Sequence, residues 1–267
     1  MRTELHPLGV EIVTVSMELS GPEASRKFIE AARPEHPSLL DPEHQLAALF
    51  GVINIPNVIW INEEGTIVRP PEPGWPDDKT HMPRELFKAL PQMGRAHTAP
   101  TRSTPAPDRM ELLSSGQNRA AYVAALRDWA VNGQNSVHAL TADEVIARSQ
   151  PRSEHESRGA AHFELANRLW RDATVAIDAK SPQRAEERDR QRALSIRHFN
   201  ECHRLQPHNW TYKRQAWSLV GNERIGGEVG RWVQAPVAGE EASWPFASDF
   251  SSDVAMLEAG EYYPATL

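Results

Sequence analysis

Cys202 is the only cysteine among 267 residues. A single thiol excludes an intrachain disulfide, a Cys-x-x-Cys redox pair, a zinc site built on several cysteines, and a resolving-cysteine peroxidase cycle within one chain. It leaves two roles. As a nucleophile or redox thiol, Cys202 would need exposure and a lowered pKa. His198, four residues before it, and His203, next to it, could then assist a thiolate. As a packing residue it need only be small and face inward on a helix, and its place in the helical pattern favours this. Eleven histidines raise metal binding as a second chemistry. Yet the sequence has no His-Glu-x-x-His, no paired cysteines and no acidic ligand cluster at a sharp spacing, and nothing in the spacing joins His155, His162 and His198. No metal or cofactor is expected. The Gly-x-Ser-x-Gly, P-loop and Gly-x-Gly-x-x-Gly motifs are absent as well.

Charge narrows the partners. Lysine and arginine total 29 against 36 aspartates and glutamates, a net charge of −7. That balance argues against phosphate-backbone binding. The run Arg184 to Arg192 alternates in sign and reads as a solvated face held by pairs one turn apart. No apolar run approaches the roughly 18 residues needed to span a bilayer. The start, Met1 to Pro7, lacks the apolar centre of a signal peptide. As written, the chain is expected in the cytoplasm, with a protein or peptide partner and no nucleic acid or membrane.

The elements that must position these residues change character along the chain. Val10 to Met17 is β-branched and nearly continuous in apolar character, and reads as a buried strand. Ser20 and Glu23 form a capping-box pattern for a helix through Phe28, Ile29 and Ala32, ending before Pro34. Asp41-Pro42 opens a second helix with Leu46, Leu49 and Phe50 on its apolar face, and Gly51 stops it. Ile53-Asn54-Ile55-Pro56 leads into a strand, Val58 to Ile61. The turn Asn62-Glu63-Glu64-Gly65 and the strand Thr66 to Arg69 complete a hairpin. Thr80 to Leu90 reads as a closing helix.

Residues 94–107 hold no periodic apolar pattern and read as a linker. Beyond them the pattern is helical. Expected helices run from Arg119 to Val131, from a Thr141–Glu144 capping box, from Ala160 to Ile177, from Ser181-Pro182 to about Leu205, and from Asn209-Trp210 through Val220. The final stretch, 226–267, carries Trp232, Trp244, Phe246, Phe250, Tyr262 and Tyr263. Such an aromatic supply suggests a tail lying across the helices rather than a free one.

The order strand, helix, helix, proline-preceded strand, hairpin, helix resembles the thioredoxin fold, most closely its TlpA/ResA and peroxiredoxin-like (AhpC/TSA) branches. The resemblance rests on Leu39-Leu40-Asp41-Pro42-Glu43 through Phe50-Gly51-Val52, and on Ile55-Pro56-Asn57-Val58-Ile59-Trp60-Ile61-Asn62-Glu63-Glu64-Gly65. It covers residues 9–93, about a third of the chain. It implies a cis peptide before Pro56 and a peptide-contacting loop at Ile55, Pro56 and Asn57. It also implies a central strand and a Cys-x-x-Cys helix before Val10, where only nine residues stand and none is cysteine. Their absence would leave an unpaired edge and an open core. The favoured explanation is an N-terminally shortened form of a longer protein; the other is a degenerate domain completed by a partner or by the tail.

Phe199, Cys202, Leu205 and Pro207 are similar to the second helix of a tetratricopeptide repeat, and Phe163, Leu165, Ala166, Leu169 and Trp170 to the first. The spacing between them exceeds the usual 34 residues, so a single TPR-like hairpin is expected. The expected architecture is an α/β thioredoxin-like domain, N-terminally incomplete, over 1–93, an all-α TPR-like domain over 108–225, and the tail. The expected function is that of a thioredoxin-like relative of thiol-disulfide oxidoreductases, redox-inactive in this chain. The alternative is an interaction scaffold using the helices and the Pro56 loop, and a weaker third reading is a one-cysteine enzyme using Cys202.

Overall fold

A computed structural model describes residues 1–74, 94, 119–175, 181–225, 233–258, 260–264 and 267. The expected closing helix Thr80 to Leu90, Trp232, and the linker apart from Gly94 lie outside the described residues. The chain divides into two compact units. The first comprises Met1–His81, Thr104–Pro151 and Leu257–Leu267; the second comprises Met82–Ser103 and Arg152–Met256. This differs from the division read at residues 93 and 108. The helix Arg119–Asn132 supplies Tyr122 and Ala125 to a core with Trp60 and Val68. Burying those four side chains together ties the helix to the hairpin.

In the first unit, α1 (Arg2–Leu5) precedes β1 (Thr14–Ser16), α2 (Pro22–Ala32), β2 (Ser38–Leu40) and α3 (Gln45–Phe50). Then come β3 (Asn57–Ile61), β4 (Ile67–Pro73), α4 (Arg119–Asn132) and α5 (Ala142–Ser149). β1 pairs parallel with β2, and β3 pairs antiparallel with β4, as two separate two-stranded sheets. The expected buried strand at Val10 to Met17 is therefore corrected. β1 is three residues long and largely exposed, with Val13 and Val15 51% and 40% exposed. Among the described residues β2 is its one neighbouring strand. Phe28 and Leu49, assigned to apolar helix faces, are exposed as well.

The caps also differ in detail. Gly21, not Ser20, is the N-cap of α2, with Pro22 in its first turn. Glu23 does not close a box because its carboxylate is taken by Arg26. Asp41 caps α3 from a distance, accepting from the backbone N–H of Gln45 at 2.8 Å and of Ala47 at 3.2 Å. The Thr141–Glu144 capping box forms as read.

The second unit contains α6 (Glu154–Val175), α7 (Pro182–Leu205), α8 (Trp210–Ile225) and α9 (Phe250–Val254). α6 and α7 form an antiparallel hairpin. Phe163 meets Phe199 edge-on, and Ser195 donates to the carbonyl of Ala166 at 2.7 Å. Arg192 stacks over Trp170 at 3.8 Å and pairs with Glu223. The alternating-sign run is thus not solvated throughout: its last arginine covers an aromatic face. Ser181 caps α7. Asn209 caps the start of α8, accepting from the N–H of Tyr212 at 3.1 Å. Trp244, Phe246 and Val254 are buried in this unit, whose last segment is pinned by Lys213 to Asp253 at 2.6 Å. Among the described residues, no helix is long and apolar enough to cross a membrane.

Candidate functional site: the Ile55–Pro56 loop

The loop between α3 and β3 begins where Gly51 ends α3 in a left-handed conformation, φ 77°. Its Ile55–Pro56 peptide is cis. Asn54, 6% exposed, shapes the turn: its Oδ1 accepts from the N–H of Ile55 at 2.9 Å. The Asn54 Nδ2 then donates to the carbonyl of Tyr262 at 2.8 Å. The Tyr263 hydroxyl donates to the carbonyl of Ile55 at 2.8 Å. Tyr262 and Tyr263 pack edge to face at 4.6 Å and are both buried. On the far side of the proline, the buried Oδ1 of Asn57 has no hydrogen-bond partner among the described residues.

The loop therefore places three polar groups around Pro56. The C-terminal segment engages two of them, Asn54 Nδ2 and the Ile55 carbonyl, while Asn57 Oδ1 is buried beside them. Such a set can bind a segment through its backbone carbonyl and an aromatic hydroxyl. Sequence reasoning named Ile55, Pro56 and Asn57 but missed Asn54, Tyr262 and Tyr263. The available signal was the Tyr-Tyr pair in the tail, read only as generic packing.

Behind the loop, β3 and β4 are locked by a buried polar cluster that the sequence did not announce. Arg69 donates to both oxygens of Glu72, at 2.6 and 2.8 Å, and to the carbonyl of His138 at 3.0 Å. Both partners are nearly inaccessible. Trp60 donates its Nε1–H to the Tyr122 hydroxyl at 2.9 Å and stacks on Trp129 at 5.0 Å. These contacts hold β3, and with it the loop, on a rigid platform.

Comparison with protein-family models, with curated proteins and with solved structures finds no match.

Cys202 lies in the second unit and is inaccessible. Burial pushes its thiol well above the ordinary range, with Lys213 opposing only in part. The histidines proposed to assist it turn elsewhere. His198 meets His162, and His203 packs against Trp217 and Phe246. Burial pushes His203 down to about 3. The arrangement is that of a packing cysteine. Among the described residues, no three His, Cys, Asp or Glu side chains converge as a metal set.

Proposed function

We propose that this chain is a redox-silent, thioredoxin-like interaction module that binds an aromatic peptide segment at the Ile55–Pro56–Asn57 loop. The observation that carries this reading is the engagement of the loop by Tyr262 and Tyr263 through Asn54 and Ile55. A turn segment with a paired aromatic already engages two of the loop's polar groups, so a partner offering the same pattern would meet the same groups. The buried, high-pKa thiol supports a function without disulfide exchange, because the thiolate is the reacting species.

The test removes residues 258–267 and offers them back as a free peptide. The shortened chain should bind the peptide saturably, and the full-length chain should bind it more weakly because its own segment competes. No binding by a shortened chain that keeps its circular dichroism would refute the reading. Insulin-disulfide reduction should be at background.

A further inference from the structure

Two of the eleven histidines meet across the α6–α7 hairpin. His162 on α6 and His198 on α7 place their Nδ1 atoms 2.8 Å apart, with the rings 5.0 Å apart and tilted by 30°. Both side chains are half-buried. The helices beneath them are fixed by the Phe163–Phe199 contact one residue along and by Ser195 on Ala166. The two nitrogens are therefore presented by a stiff backbone rather than by loops.

Two neutral imidazoles at this distance share one proton: one Nδ1–H donates and the other Nδ1 accepts. The same separation suits another shared electrophile. Two nitrogens at neighbouring corners of a tetragonal complex with bonds of about 2.0 Å lie about 2.8 Å apart, whereas tetrahedral bonding spreads them to about 3.3 Å. We propose that His162 and His198 form a two-nitrogen chelate for a tetragonal divalent ion, Cu(II) above all and Ni(II) next, with water in the remaining positions.

Binding requires the donating ring to move its proton to Nε2, so that both Nδ1 lone pairs face the ion. No net proton is lost when both rings start neutral. Glu201, three residues beyond His198, does not complete the set: Arg204 holds its carboxylate at 2.8 and 2.5 Å. The charges around the pair are Arg197, Glu201, Arg204 and Arg158. The site has two protein ligands, since among the described residues no cluster of three such side chains forms. Cu(II) is favoured because it heads the affinity order for nitrogen sites and tolerates square geometry.

The experiment is a Cu(II) titration of the full chain at pH 7 against a weak competing chelator, followed by calorimetry and electron paramagnetic resonance. One ion per chain is expected, with hyperfine structure from two imidazole nitrogens. His162→Gln and His198→Gln should each weaken that site about 100-fold, the low end of what a second intramolecular contact adds. Equal affinity and stoichiometry in the parent and the H162Q/H198Q double variant would overturn the proposal. A second measurement needs no variant. Substoichiometric Cu(II) should broaden the ring resonances of His162 and His198 before those of other histidines, and broadening of others first would equally contradict it.

Discussion

Tyr263 donates its phenolic hydroxyl to the carbonyl oxygen of Ile55 at 2.8 Å, joining residues 208 positions apart. The bond places the C-terminal segment on the loop before β3, and Asn54 adds a second bond to the neighbouring residue, Tyr262. Tyr263→Phe deletes one donor and leaves the ring. The variant should lose about 1 kcal/mol of tail docking, the ordinary net worth of such a bond. Hydrogen–deuterium exchange of residues 258–264 reads it directly: exchange should rise several-fold in the variant and be unchanged elsewhere. Asn54→Ala should raise exchange over the same segment.

Cys202 should be inert in the native chain. A thiol reagent at pH 8 should label it only after denaturant is added, since burial holds the thiol above the ordinary range and closes access. Rapid native labelling at the rate of a free thiol would contradict its packing role.

Much of the helical pattern was legible in the sequence because its signals are local. Thr141 with Glu144, Ser181 with Pro182, and Asn209 before Trp210 announce helix starts through caps that depend on neighbouring residues. Gly51 marks the end of α3, and the turn at Gly65 marks the hairpin, for the same reason. What failed depends on distant partners. Val10 to Met17 has the composition of a buried strand, but burial needs covering elements, and among the described residues β1 has only β2 beside it. Arg69 with Glu72 looks like two exposed charges until α4 and the His138 region close over them. The Ile55–Pro56–Asn57 loop stood out through its local Ile-Pro pattern, while its contact with Tyr262 and Tyr263 was silent, since nothing local in a tail says which loop it will meet.

The Arg69–Glu72 pair carries a stability prediction. Glu72→Ala leaves a buried guanidinium without its carboxylate and should cost about 3–5 kcal/mol. The double change Arg69→Met with Glu72→Leu removes both charges and should cost much less. Urea unfolding followed by tryptophan fluorescence compares them; equal losses would show that the charge left behind is not the source of the cost.

Acid should destabilise the fold through two histidines. Burial lowers His44 to about 4 and His203 to about 3, from an ordinary value near 6.5. Between those values and about 6.5 the unfolded chain binds the protons that the folded chain refuses. Stability therefore rises with pH through this window and is fully present above it. Each histidine contributes at most about 1.4 kcal/mol per pH unit there. His203→Phe should flatten the loss between pH 6 and pH 4 in a series of urea midpoints. An unchanged slope would remove His203 from the explanation.

The most direct measurement is fluorescence anisotropy of a labelled 258–267 peptide titrated with the chain ending at Leu257, alongside the same peptide carrying Tyr263→Phe. Saturable binding of the parent peptide, weakened several-fold by the loss of the single hydroxyl, is the expected result. No binding to a folded shortened chain, or equal binding of both peptides, would contradict a loop that recognises the segment through Ile55.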